Sequence, residues 1–91
     1  MLIKRTPSFK RDFKRYKNKN YDMLKLKKIL ELIVARETEI LRTQYKDHVL
    51  KGQWQGYREL HIESDWLLIY KVDNDNLILT LFRTGSHDDL F

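Results

Sequence analysis

Tyr57-Arg58-Glu59-Leu60-His61-Ile62-Glu63-Ser64-Asp65-Trp66-Leu67-Leu68-Ile69-Tyr70-Lys71-Val72, followed by the cluster Asp73-Asn74-Asp75-Asn76 and the run Leu77 to Thr84, is the stretch that decides the fold. Its first six residues alternate. Arg58, Leu60 and Ile62 point one way and Tyr57, Glu59 and His61 the other, the period-two pattern of a strand with two unlike faces. Ser64-Asp65 reads as a tight turn into Trp66–Val72, which is apolar on both faces and therefore central in a sheet. The Asp/Asn cluster is a second turn, and Leu77–Thr84 a third strand closed by Gly85. Ser86 to Phe91 is left as a short tail. Residues 57–84 thus predict a three-stranded antiparallel meander.

Upstream of it the period changes. Phe9, Phe13 and Tyr16 stand at i, i+4 and i+7, one apolar stripe of a helix that Thr6-Pro7-Ser8 opens, with a side-chain cap and a proline in the first turn. Lys10, Arg11, Lys14, Arg15 and Lys17 fill its other positions. Asn18-Lys19-Asn20 interrupts, Asp22 can cap a second helix, and Leu26, Ile29, Leu30 and Ile33 form that helix's stripe. Leu2 to Thr6 reads as a short strand. Residues 37–56 carry little periodicity and are punctuated by Gly52 and Gly56. The expected order is β-α-α-β-β-β: an α+β fold with an N-terminal strand, a helical hairpin, then the meander, the hairpin packed on one face of the sheet.

With 91 residues, 42% hydrophobic and 34% charged, the chain is expected to be one ordered domain over residues 1–91. The absence of cysteine excludes a disulfide framework, a cysteine-ligated zinc and a thiolate nucleophile together. The longest apolar run, Trp66 to Tyr70, is far too short to span a membrane, and Met1 to Arg5 lacks the apolar centre of a signal peptide. The expected compartment is the cytoplasm. The net charge of +5 hides an asymmetry: residues 1–46 hold fourteen basic and five acidic side chains, residues 47–91 four basic and eight acidic. A basic block of this kind is either a footprint for a polyanion, most often nucleic acid, or a solvated lysine-rich face kept for solubility.

The three histidines, His48, His61 and His87, have no metal-ligand spacing, so neither a metal nor another cofactor is expected. Strand polarity nevertheless gathers His61, Asp65, Trp66, Arg83 and His87 at one end of the sheet. RNA can be cut there without a metal by using its own 2′-hydroxyl as nucleophile. One imidazole takes that proton, another protonates the leaving 5′ oxygen, arginine receives the phosphate charge and an aromatic ring stacks on a base.

The run from Lys46 to Lys71, with Asp47-His48, Gly52, Trp54, Gly56-Tyr57-Arg58-Glu59, His61-Ile62 and Asp65-Trp66-Leu67-Leu68-Ile69-Tyr70, resembles the YafQ branch of the RelE/ParE toxin superfamily, as does Arg83-Thr84-Gly85-Ser86-His87 followed by Leu90-Phe91. About half the chain carries the resemblance closely. It implies a type II toxin that cleaves messenger RNA on the ribosome, with active-site positions at His48, His61, Asp65, Trp66, Arg83, His87 and Phe91. The histidines and Asp65 would share the acid, base and orienting roles, Arg83 would bind the scissile phosphate and Phe91 would pack on a base. Trp66 either stacks on RNA or plugs the sheet edge, and Asp65 is either catalytic or only a turn residue.

The resemblance also implies a cognate antitoxin, usually a ribbon-helix-helix DNA-binding protein, through which alone operator DNA would be bound. Ribosomal RNA would meet the basic helices, with Lys10, Lys14, Lys17, Lys25 and Lys28 as phosphate contacts. Two other readings share the fold: a ParE-like inhibitor of DNA gyrase, and a binding module that cuts nothing.

Overall fold

The computed structural model describes all 91 residues. A strand β1 (Leu2–Arg5) leads into α1 (Pro7–Asn18), α2 (Met23–Val34) and α3 (Thr38–Tyr45). Strand β2 (His48–Val49), a 3-10 turn at Gly52–Trp54, β3 (Arg58–Glu63), β4 (Trp66–Asp73), β5 (Ile78–Gly85) and α4 (His87–Leu90) follow. The expected α+β order is present, with three additions. The sheet has five strands, ordered β1-β5-β4-β3-β2, because His48–Val49 pairs antiparallel with β3. The unpatterned segment after α2 contains α3, and the C-terminal tail is a helical turn rather than an irregular end.

Local chemistry accounts for the helix ends. The Thr6 hydroxyl accepts the Phe9 N–H at 2.9 Å, which starts α1, and donates to the Phe82 carbonyl at 2.7 Å, which ties the start of that helix to β5. Asp22 caps α2 through the Leu24 N–H. Lys46 ends α3 in the left-handed conformation with φ 56°. Ser86 caps α4 by accepting the Asp89 N–H at 3.2 Å.

The two faces of the sheet hold different things. Trp66, Leu68 and Tyr70 of β4 meet Phe9, Tyr16, Leu26, Ile29 and Ile33 of the helices in the main core. Leu67 and Ile69 face the other way, where Leu90, Leu50, Trp54, Tyr57 and Phe82 cover them. The alternation of β3 carries through this division: Arg58 lies opposite Tyr70 and Leu60 opposite Leu68, whereas Glu59 lies opposite Ile69 and His61 opposite Leu67. The histidines of β2 and β3 therefore lie on the face that the long helices do not cover. In β5 a bulge inserts Phe82, so Leu81 pairs with Tyr70 but Arg83 with Ile69.

Candidate active site

Three elements deliver the imidazoles. His61 stands on β3, His87 is the first residue of α4, and the Ser64-Asp65 turn between β3 and β4 places a carboxylate beside His87. The His61 and His87 rings lie 6.0 Å apart, centroid to centroid. Asp65 Oδ1 accepts the His87 backbone N–H at 3.2 Å and faces its Nδ1 at 3.4 Å. Phe91 continues the row at 6.1 Å from His87 and meets Trp54 at the same distance, the residue being 58% exposed. A row of two imidazoles and a partly exposed phenylalanine is the result.

His48 approaches from β2. Its Nδ1 sits 2.8 Å from the Lys46 carbonyl, which can only accept, so the proton is on Nδ1 and Nε2 is the free position. That Nε2 lies 3.6 Å from Glu59 Oε1, and His61 Nε2 lies 3.9 Å from the same oxygen. Both separations exceed a hydrogen bond but suit an ion pair once either ring is charged. Glu59 is 4% exposed, a buried carboxylate between two imidazoles. Sequence reasoning passed over it, although its place in the alternation, on the same side as His61, was the available signal.

Arg83 belongs to a second group. It pairs in register with Ile69, where β1 no longer flanks β5, and its guanidinium meets helix α1. There Nε donates to Asp12 Oδ2 at 2.6 Å and Nη2 to Oδ1 at 3.1 Å, while Asp12 Oδ2 also accepts the Thr84 N–H. These bonds with buried Asp12 hold the guanidinium's pKa further above its ordinary value, outweighing partial desolvation. Ser8, Arg11, Asp12, Arg15 and Arg83 line one cleft, so the arginines of α1 stand nearer to Arg83 than the lysines singled out from sequence suggested.

A match over residues 1–91 is found with the family model described as the bacterial toxin of type II toxin-antitoxin systems, YafQ. The chain belongs to the YafQ family. The mRNA interferase toxin YafQ of Escherichia coli K12 is 40% identical over 98% of this chain and 94% of its own. In the crystal structure of the E. coli DinJ-YafQ complex, the matched chain superposes with a TM-score of 0.85 at 40% identity, covering 98% of this chain and 96% of that one. A metal-bound toxin from Helicobacter pylori gives 0.88 at 35% identity over 100% and 99% of the two chains.

Within this YafQ-family fold one expected RNA contact is overturned. Trp66 is 1% exposed and packs edge-on against Tyr21 and stacked on Tyr16, with its Nε1–H donated to Thr84 Oγ1 at 3.0 Å. No face of the indole is open to a base, and of its two readings the plug is the one the packing leaves. Lys10, Lys14, Lys17 and Lys28 are exposed. Lys25 is exposed but bound to Glu63 at 2.7 Å, a pairing that raises its pKa and lessens its attraction for a phosphate. Arg11, Lys14, Arg15, Asn18 and Lys19 line a further open groove along α1.

The C-terminal turn that carries His87 is itself held by charge. Asp89 accepts a hydrogen bond from the Tyr16 hydroxyl and pairs with Arg15 at 2.7 Å. The phenol, ahead of the arginine, holds the Asp89 carboxyl below its ordinary range. A depressed folded-state pKa contributes stability above the unfolded value, and that contribution is lost as pH falls through the folded one. Asp89→Ala is therefore expected to be less stable than the wild type at pH 7. The gap closes in urea titrations run below about pH 4, the ordinary carboxylate range.

Proposed function

We propose that residues 1–91 form one toxin domain whose activity is a ribosome-dependent endoribonuclease, cutting messenger RNA in the cytoplasm by acid-base catalysis without a metal. The observation that carries this reading is the convergence of His61 and His87, with Asp65 behind the second ring and Phe91 exposed beside it. One imidazole removes the proton of the 2′-hydroxyl as its oxygen bonds to phosphorus. Another gives a proton to the departing 5′ oxygen as the phosphorus–oxygen bond breaks, leaving a 2′,3′-cyclic phosphate and a 5′-hydroxyl. His48 is within ion-pair reach of Glu59 and shares the proton traffic. Asp65 orients His87, and Phe91 stacks on a base. Arg83 binds the scissile phosphate with the N–H groups that Asp12 leaves free, and Lys10, Lys14, Lys17, Lys25 and Lys28 contact ribosomal RNA phosphates.

The metal-free route is supported by the residue types alone: paired imidazoles can act as base and acid near neutral pH without an ion. The complex of YafQ with DinJ supports a cognate antitoxin here. Its ribbon-helix-helix class, and operator binding by the toxin-antitoxin pair, are proposed from the family resemblance alone.

The test maps 5′ ends on one messenger in a translation extract supplied with wild-type protein or His87→Ala, and repeats the cleavage on purified ribosome complexes with the chelator EDTA at concentrations that leave ribosomes intact. Cuts at codon positions from the wild type alone, absent on ribosome-free RNA and indifferent to the chelator, are expected. Intact messenger under both folded proteins would overturn the nuclease reading, and a supercoiling assay would then examine gyrase.

A further inference from the structure

We infer that Tyr16, on the basic helix α1, is a positioning residue that fixes α4 and, through it, His87 and Phe91. The inference rests on the nuclease reading for its catalytic meaning but on separate contacts for its geometry. The ring of Tyr16 is 2% exposed, wedged against Tyr21 at 4.7 Å and stacked on Trp66, so its direction is set by the core. Its hydroxyl is the hub at the start of α4. It accepts the Ser86 N–H at 2.8 Å and donates to the Asp89 carboxylate. Ser86 and Asp89 are also joined to each other through the Ser86 hydroxyl, and Arg15 holds the other Asp89 oxygen.

Glycine at 85 is what lets the phenol come so close: a Cβ there would lie 3.1 Å from the Tyr16 hydroxyl and 3.4 Å from Asp89 Cβ. The catalytic imidazole follows one residue after the N–H that Tyr16 receives. A four-residue helix has no stability of its own, since so short a segment does not recover the cost of its first turn. Apart from Leu90, buried against Leu67 and Ile69, the exposed Asp65 contact and the Arg15–Asp89 pair, α4 is held by this phenol. One turn earlier on α1, Asp12 grips Thr84 N–H and Arg83. The helix whose outer side is basic thus holds, from its inner side, the chain from Arg83 to Asp89.

Tyr16→Phe keeps the ring and removes only the hub. The expected result is a ten- to hundred-fold lower cleavage kcat with KM for programmed ribosomes changed less than twofold, the scale that a misplacement of about an ångström produces. Hydrogen exchange at the Ser86 amide should accelerate and the His87 ring resonances should move, while the amides of β4 and the His61 ring stay as they were. Asp89→Asn keeps an acceptor for the phenol and should restore near-wild-type kcat. Asp89→Ala should match Tyr16→Phe, and the two together should be no worse than either.

Wild-type kcat in Tyr16→Phe alongside an inactive His87→Ala would overturn the inference. So would a loss confined to KM, or amides loosened throughout the sheet. An active His87→Ala would instead count against the catalytic role given to His87, and inactivity of the wild type itself against the nuclease reading. The Ser86 exchange and His87 resonances need no activity and would still decide whether Tyr16 places the helix.

Discussion

Trp66→Ala is expected to destabilise the protein by about 3–5 kcal/mol, the range for emptying a large aromatic site in a packed core. Stabilities of small proteins are of the order of 5–15 kcal/mol, so about a fifth or more of the total is at stake. The size follows from position. Trp66 opens the central strand, is 1% exposed, and lies where α1, the turn after it and β5 meet, against Tyr16, Tyr21 and Thr84. Its N–H belongs to a short chain of bonds, because Thr84 Oγ1 accepts it and donates in turn to the Leu67 carbonyl at 2.7 Å. Truncation opens a cavity and removes the donor that Thr84 receives.

Phe91→Ala provides the contrast: at a residue 58% exposed it should change stability by less than about 1 kcal/mol while lowering cleavage. Urea titrations of both variants, read as midpoints at unchanged slope, and a cleavage assay on the folded fractions separate the two roles. A Trp66→Ala protein as stable as the wild type but unable to cleave would return the indole to the RNA.

That contrast also shows where sequence reading reached its limit. Strand alternation told correctly which side chains of β3 share a face, and apolar stripes told the buried sides of α1 and α2, because both signals are local periods imposed by one dominant core. Helix α3 escaped because it buries a single residue, Leu41, and one buried position makes no period. Strand β2 is two residues long and both are exposed, so nothing but its hydrogen bonds to β3 marks it as a strand. A tryptophan next to a turn is compatible with a plug or a platform, and only the arrival of Tyr16 and Tyr21 from fifty residues away decides between them. Asp12 was unreadable for the same reason. On the sequence it is an acid among lysines and arginines, whereas in the fold it is the 7%-exposed anchor of Arg83, 71 positions downstream.

The second large effect falls on Glu59 and His61. A carboxylate 4% exposed has little water left around it, which gives weight to the groups beside it. Its ion-pair partners are the Nε2 atoms of His48 and His61, at 3.6 and 3.9 Å. Such an arrangement gains most when an imidazole carries a proton, which is the state a general base reaches during the reaction it assists. Glu59→Gln keeps the shape and removes the charge, so it should lower single-turnover cleavage by about 10²-fold. His61→Ala should lower it by about 10²–10⁴-fold, the usual worth of a positioned acid or base.

The double variant should lose much less than the product of the two single losses, because with the His61 ring gone the carboxylate has only His48 left to act on. Stability should run the other way. Glu59→Gln removes a buried charge without opening a cavity, so its melting temperature should not fall, as is common where a site is kept at the expense of the fold. Single-turnover rates on programmed ribosomes and thermal melts of the four proteins provide the full cycle. Multiplicative losses in the double variant would mean that Glu59 and His61 work independently, and an unimpaired Glu59→Gln would make the carboxylate a bystander to the histidines beside it.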